Sequence, residues 1–320
     1  MPISGVGGAL AGRGPAPRFL CASSPRRSKL CSVAIKLCSA VCLLGLAIAP
    51  LTAAEAVSHF TKLDGNKLHY DSFGAGDEAI VFIHGWTCDS TFWKAQAPIY
   101  EQRRSLLIDL PGHGLSDKPE IAYTMELFAR SIDAVMTDAK VRKATLAVHS
   151  MGALVTVPFL RMHPEKVAGL VIVDGLIPQP PKDDAEREKQ KAQRAELVKM
   201  YRAPDYKGAA TRMLDFMFTK QTDPALRNQI QTIMLSAPQY VMASAMEGMM
   251  AMEPLTESYP RLAVEAVMVK RGNSAGYQEF LKQHFNLIGY REFDDAGHFL
   301  MMEQPQKFNQ ILREFLDRKQ

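Results

Sequence analysis

The sequence predicts an α/β fold with a mostly parallel central sheet, helices on both of its faces, and a helical insertion. Short apolar runs rich in β-branched residues recur along the chain, and amphipathic helical patterns separate them. Because these runs are apolar almost throughout, both faces of the sheet must be covered by helices. The 320 residues, of which 47% are hydrophobic and 22% charged, suffice for one large domain with an insertion.

The predicted elements follow in chain order. Residues 59–74 alternate polar and apolar side chains around Gly65-Asn66, which predicts an antiparallel hairpin at the sheet edge. Apolar runs predict buried strands at 79–85, 105–111, 144–150, 169–175 and 263–269. Helical patterns lie between them at 91–102, 125–139 and 153–166.

The alternation stops over residues 176–262, where no strand pattern occurs. A Pro-rich start leads into a strongly charged helix and then into a Met-rich helical stretch. We expect a helical lid here, inserted into a core formed by 57–175 and 263–320. The methionines either pack the interior of the lid or form a deformable apolar wall for a substrate. They are Met213, Met217, Met234, Met242, Met246, Met249, Met250 and Met252.

Residues 1–56 have the order of an export signal: basic residues, an apolar run, then small residues. We expect cleavage near Ala54 or Ala56 and a periplasmic or secreted protein. Two alternatives remain open. Residues 37–54 carry no charge and are just long enough for an uncleaved membrane anchor, and Arg26-Arg27 could belong to a twin-arginine signal.

Charge and cysteine content separate this segment from the rest of the chain. Residues 1–56 hold six basic groups and one acid, a net +5, so the remaining residues carry 4 − 5 = −1. A nearly neutral domain has no electrostatic footprint for nucleic acid. Four of the five cysteines lie in the first 42 residues, which leaves Cys88 without an internal disulfide partner in the folded part.

Ser150 is the central candidate for chemistry. It lies in Val148–Gly152, at a predicted strand-to-helix junction, where a sharp turn pushes the serine above the sheet. The N–H groups at the start of the following helix favour developing negative charge.

Three further motifs accompany the serine. Residues 84–86 (HGW) end a predicted strand, so a backbone N–H there can face the serine and stabilise an oxyanion. The loop 109–117 (DLPGHGLSD) is predicted to be structural, with Asp117 pinning its turn. His298, after the last strand, is a candidate base.

Together these motifs resemble the α/β-hydrolase superfamily over residues 60–320. The resemblance implies that Ser150 is the nucleophile and His298 the base. It also implies an oxyanion hole formed by the backbone N–H groups of Trp86 and Met151.

The sequence departs from the family pattern in two places. Val148 occupies a position that is usually small, and the loop KRGNSAG, after the strand 263–269, lacks the acid commonly found there. Asp174, at the end of the strand 169–174, is the preferred replacement, as in some dehalogenases and lipases of the family. Asp294, Asp295 or no acid at all are the alternatives.

These features predict a serine hydrolase that cleaves carboxylic esters of small to medium apolar substrates through an acyl-enzyme. A serine argues against the dehalogenase and epoxide-hydrolase branches, which use an aspartate nucleophile. The alternatives are a lactonase or carbon–carbon bond hydrolase on the same scaffold, or a weakly catalytic ligand-binding protein. No metal or organic cofactor is expected, because phosphate loops and metal-spaced histidine pairs are missing from the sequence. The expected partner is a small-molecule ester.

Overall fold

The computed structural model describes residues 55–270, 272 and 274–318. The predicted export segment lies outside this part of the chain, apart from Glu55 and Ala56. An eight-stranded sheet forms the centre of the described structure, in the order β1-β2-β4-β3-β5-β6-β7-β8. None of the described helices is long and apolar enough to span a membrane.

The sheet begins with the predicted hairpin. Strands β1 (Val57–Leu63) and β2 (Asn66–Phe73) are antiparallel, and Leu63 pairs with Asn66. The turn is therefore Asp64-Gly65. The prediction of a turn at Gly65-Asn66 is wrong by one residue. Both turn residues have positive φ, 50° and 85°, which is the geometry of a two-residue turn matched to the strand twist.

The predicted parallel sheet is confirmed, because β3 to β8 all pair in parallel. The strand before His298, whose bounds the sequence did not reveal, is β8. Its middle residues are only partly buried, so it lacks the continuous apolar run that marked the others. The bounds are β3 Glu78–Ile83, β4 Ser105–Ile108, β5 Lys143–His149, β6 Val167–Val173, β7 Tyr259–Val269 and β8 Phe285–Phe293.

Helices of the core connect these strands, and two predicted helices are shorter than expected. The pattern at 91–102 forms a 3₁₀ helix, Ser90–Gln96, followed by one α-helical turn, α1 (Ala97–Tyr100). The pattern at 153–166 forms α3 (Met151–Met162), which stops before Pro164 because a proline disfavours helix at the preceding residue. The other core helices are α2 Met125–Asp138, α8 Ser274–His284, α9 Leu300–Glu303 and α10 Pro305–Asp317.

Four described helices lie between β6 and β7, in the predicted insertion. In the strongly charged α4 (Asp184–Arg202), Tyr201 is the one buried side chain, and the other side chains are partly or fully exposed to solvent. The methionines are buried or partly buried. Strand β7 begins at Tyr259, inside the range that the sequence assigned to the insertion. The helices are α4 Asp184–Arg202, α5 Tyr206–Asp215, α6 Pro224–Leu235 and α7 Gln239–Met250.

Asp109 fastens the loop 109–117 to its surroundings. One carboxylate oxygen accepts the Ser90 N–H at 2.7 Å, and the other accepts the Leu115 N–H at 2.9 Å and contacts His69 Nδ1 at 2.8 Å. The predicted anchor, Asp117, instead accepts the N–H of Lys67 in β2 at 2.8 Å. The loop is therefore held from inside by Asp109 and is joined to the hairpin by Asp117.

His69 carries a charge in this buried cluster. Burial alone lowers its pKa, but hydrogen bonds and charges from Asp109 and Asp71 outweigh burial and raise the pKa from 6.5 to about 9. Burial also raises the pKa of Asp109, yet His69 and the backbone donors lower it to about 2. The two groups therefore form a buried ion pair at neutral pH.

The pair predicts an alkaline loss of stability. Below about pH 6.5 the folded and unfolded chains both hold the His69 proton, so its stabilising effect is complete. As the pH rises towards 9, the unfolded chain loses that proton first and the stabilising effect disappears. Thermal unfolding between pH 6 and 9.5 should show a smaller fall in Tm for His69→Gln than for the wild type. His59→Gln, on the neighbouring strand, is the control and should keep the wild-type slope.

Candidate active site

Ser150 occupies a strained turn between β5 and α3. Its φ and ψ are 51° and −113°, outside the regions that a residue with a side chain prefers. The Ser150 N–H donates to the Val173 carbonyl at 3.1 Å, which fixes the turn to β6. Val148 does not prevent this geometry, because its side chain is buried within β5, where it pairs with Ile83 and Ile172 on either side.

Two glycines allow the elements around the turn to approach. A Cβ atom on Gly152 would lie 3.0 Å from the Ile83 carbonyl oxygen. A Cβ atom on Gly175 would lie 2.5 Å from Ala153 Cβ and 2.9 Å from the Ser150 carbonyl oxygen. The sequence motifs did not reveal the role of Gly175, although it directly follows the candidate acid Asp174.

His298 lies against Asp174. Its Nδ1 is 2.5 Å from Asp174 Oδ2. The other carboxylate oxygen accepts the Val269 N–H at 3.0 Å, and the Asp174 N–H donates to the Val267 carbonyl at 2.8 Å. Asp174 is buried and has a φ of 42°, so the end of β6 and the end of β7 together aim its carboxylate at the histidine.

The alternative acids face elsewhere. Asp294 and Asp295 are exposed, and Asp295 Oδ1 lies 3.7 Å from Lys307 Nζ. Of the three candidate carboxylates, Asp174 is the one that contacts the His298 ring.

The backbone of His298 is held by the insertion. Its N–H donates to the carbonyl of Met217, which follows α5, at 2.7 Å. The preceding Gly297 N–H donates to Glu303 Oε1 at 3.1 Å, and Glu303 Oε2 accepts the Thr222 hydroxyl at 2.9 Å. The loop that carries His298 is thus attached to the segment between α5 and α6.

Ser150 and His298 line the same small cavity, whose volume is about 70 Å³. Among the described residues, no hydrogen bond joins their side chains, and such bonds often tighten only when substrate is present. Much of the remaining wall is apolar and comes from methionines of the insertion. The lining methionines are Met213, Met217, Met234, Met246 and Met249.

The two predicted oxyanion donors come from separate elements. Met151 is the first residue of α3, so its N–H has no partner within that helix. Trp86 lies in a tight turn closed by a Cys88 N–H to Gly85 carbonyl bond of 3.2 Å. The Trp86 indole N–H donates to the Met242 carbonyl of α7 at 3.0 Å, which fastens the side chain to the insertion.

Two buried histidines hold this turn, a role that the sequence motifs did not reveal. His84 Nε2 accepts the Leu110 N–H at 3.1 Å, and His113 Nε2 accepts the Thr87 N–H at 3.2 Å. Burial and the neighbouring His84 lower the pKa of His113 to about 3, and burial lowers that of His84. Both rings are therefore neutral acceptors that orient the loop after β3. In the sequence, His84 lies in the motif HGW and His113 in GHG, and these motifs were the features that could have indicated their role.

Cys88 also lines the cavity. It is a buried thiol with no disulfide partner among the described residues, and burial raises its pKa well above the usual value. A protonated thiol is a poor nucleophile, so the cysteine acts as an apolar wall.

The tight packing around Gly175 yields a prediction. Gly175→Ala would press a methyl group against Ala153 Cβ and the Ser150 backbone. We expect the substitution to lower the free energy of unfolding by roughly 1–3 kcal/mol, which is the usual cost of overpacking, and to lower the Tm accordingly. Gly272→Ala is the matched control, since a Cβ there meets nothing within 4 Å. Thermal denaturation of the two variants would refute the prediction if Gly175→Ala matched the control.

Comparisons with known proteins identify relatives that share this fold. The AB hydrolase superfamily protein YisY of Bacillus subtilis is 24% identical over 270 residues, which are 81% of this chain and 99% of the relative. An esterase structure from Thermogutta terrifontis superposes with a TM-score of 0.68 at 25% identity, over 83% of this chain and 99% of that one. The esterase EaEST from Exiguobacterium antarcticum, at 20% identity, shares the fold with a TM-score of 0.68 over 82% of this chain and 100% of its own.

The family follows from a match over most of the sequence. The profile of the alpha/beta hydrolase family matches residues 80–311, a range that contains Ser150, Asp174 and His298. The resemblance inferred from the motifs is confirmed, and the chain belongs to the alpha/beta hydrolase family.

Proposed function

We propose that the protein is a serine hydrolase that cleaves carboxylic esters with small acyl groups through an acyl-enzyme on Ser150. The observation that carries the proposal is the 2.5 Å contact between Asp174 and His298, beside a strained Ser150 in one methionine-lined cavity. The 25% identity to the Thermogutta esterase over nearly that whole chain supports the choice of esters.

The first half of the reaction forms the acyl-enzyme. Ser150 Oγ attacks the ester carbonyl while His298 Nε2 takes the serine proton. Asp174 holds the proton on Nδ1 and stabilises the imidazolium that forms. The N–H groups of Trp86 and Met151 bind the oxyanion, a contribution of about 10²–10³ in rate per donor. The tetrahedral intermediate collapses, and His298 gives its proton to the departing alcohol.

The second half releases the acid. Water replaces the alcohol, His298 takes a proton from it, and the new hydroxyl attacks the acyl carbon. Collapse of this second intermediate breaks the bond to Ser150 Oγ, which regains its proton from His298. His298 acts through an unprotonated Nε2 in both halves, because only that nitrogen can accept the proton of Ser150 or of water.

The cavity supports a small acyl group. Its volume of about 70 Å³ is about half the ~150 Å³ of a cavity that binds benzene. The insertion acts in this proposal as a lid whose methionines cover the acyl group. Because methionine side chains adapt their shape, slightly longer chains should enter at a cost in rate.

A p-nitrophenyl ester series from acetate to decanoate tests the proposal on the full chain. We expect turnover that is highest for acetate to butyrate, falls with longer chains, and disappears in Ser150→Ala. Folded wild-type protein that leaves every ester intact would refute ester hydrolysis, and turnover of a γ-lactone in its place would move the reaction to cyclic esters. Turnover that persists in Ser150→Ala would refute the serine mechanism.

The role of Asp174 is tested separately. Asp174→Asn should lower kcat by about 10³–10⁴-fold, because the amide no longer holds the His298 tautomer or balances the imidazolium charge. Asp295→Asn is the matched control near His298 in sequence and should stay within about twofold of the wild type. A loss below tenfold in Asp174→Asn would show that His298 works without this carboxylate.

A further inference from the structure

A second histidine lies directly before Ser150. His149 is the last residue of β5 and is fully buried. Its ring centroid is 4.7 Å from that of His298, and its Nε2 is 3.0 Å from the His298 carbonyl oxygen. Because a carbonyl oxygen only accepts hydrogen bonds, Nε2 of His149 carries a proton and donates it to this bond.

The other ring nitrogen of His149 is an unprotonated acceptor. Nδ1 is buried and has no hydrogen-bond partner within the described residues. It faces Gly85, where a Cβ atom would lie 3.0 Å away. A proton on Nδ1 would bury an unpaired charge, and burial and the nearby His298 lower the pKa of His149 to about 3. The ring is therefore the neutral Nε2–H tautomer at neutral pH.

We propose that His149 is a positioning residue, whose Nε2 hydrogen bond to the His298 carbonyl holds the histidine loop at a set distance from the serine turn. The proposal rests on the function proposed above for Ser150 and His298. The backbone of His149 is fixed in β5, where it pairs with Val173, and its peptide bond leads directly to Ser150. The side chain thus ties the candidate base to the strand that carries the candidate nucleophile.

This contact differs in kind from the two other hydrogen bonds that hold His298. Asp174 binds the ring and sets its tautomer and charge. The Met217 carbonyl binds the backbone N–H and belongs to the insertion. The His149 contact belongs to the core, and it keeps His298 near Ser150 independently of the insertion. Misplacement of a reacting group by about 1 Å can cost about 10²-fold in rate.

Two substitutions separate the hydrogen bond from the volume of the ring. His149→Gln keeps a donor at the position of Nε2 and cannot be charged. His149→Phe keeps a ring of similar size and has no donor. We expect His149→Phe to lower kcat on p-nitrophenyl acetate by about 10–100-fold with KM within about twofold of the wild type. His149→Gln should stay within about threefold of the wild-type kcat.

Each kinetic result decides the proposal. A large loss in His149→Phe with rescue by His149→Gln supports it. Wild-type kcat in His149→Phe would overturn it, and so would equal losses in both variants at unchanged Tm, since the donor would then be irrelevant. Loss of packing alone would not produce a fall in kcat at unchanged KM that His149→Gln rescues.

A measurement without substrate separates this proposal from the proposed function. Nitrogen-15 histidine NMR of the wild-type full chain should show His149 as a neutral Nε2–H tautomer that does not titrate between pH 5 and 9. A titrating His149, or one with its proton on Nδ1, would overturn the proposal even if the enzyme hydrolyses esters. The expected tautomer in a protein without ester turnover would leave the positioning contact supported and refute ester hydrolysis alone.

Discussion

The hydrogen bond between His298 and Asp174 joins residues 124 positions apart in the chain, and the arrangement of the site depends on it. Its geometry requires β6 to end at Val173, so that Asp174 can turn its carboxylate inward with a positive φ. The bond also requires β7 beside β6, because the Val267 carbonyl and the Val269 N–H bind Asp174 from that strand. Parallel pairing of β5, β6 and β7 brings the ends of these strands to one edge of the sheet.

Burial gives the histidines around this site two different states. His84, His113 and His149 have depressed pKa values, because the interior penalises their charged forms. As neutral rings they act as fixed hydrogen-bond partners for nearby backbone groups. His69 is just as inaccessible to solvent, but two carboxylates contact it and keep it charged. A carboxylate hydrogen-bonded to the ring, and not merely nearby, keeps His69 charged despite its burial.

The inserted helices contribute residues to the site. The Met217 carbonyl binds the His298 N–H, and the Met242 carbonyl binds the Trp86 indole. Both contacts join backbone of the insertion to residues that the proposed mechanism uses. The methionine side chains complete the cavity wall. Movement of the insertion would therefore alter the support of His298 as well as access to Ser150.

The sequence by itself determined the fold class, the parallel strands and the turn at Ser150. The roles of His298, Trp86 and Met151 are predictions that come from the family resemblance. These features depend on local patterns: apolar runs for buried strands, glycines and small residues for turns, and short motifs for strand ends. The sequence could not predict β8, because its half-exposed residues form no apolar run. It also could not place the hairpin turn at the correct pair of residues.

The tertiary structure alone decided which carboxylate contacts His298. Asp294 and Asp295 are nearer in sequence, yet their position after β8 turns them to solvent, while Asp174 reaches the ring from another strand. It also decided that His149, His113 and Gly175 support the site. Those roles depend on contacts between residues that are far apart in the sequence. Such contacts produce no local or periodic sequence pattern from which they could be predicted.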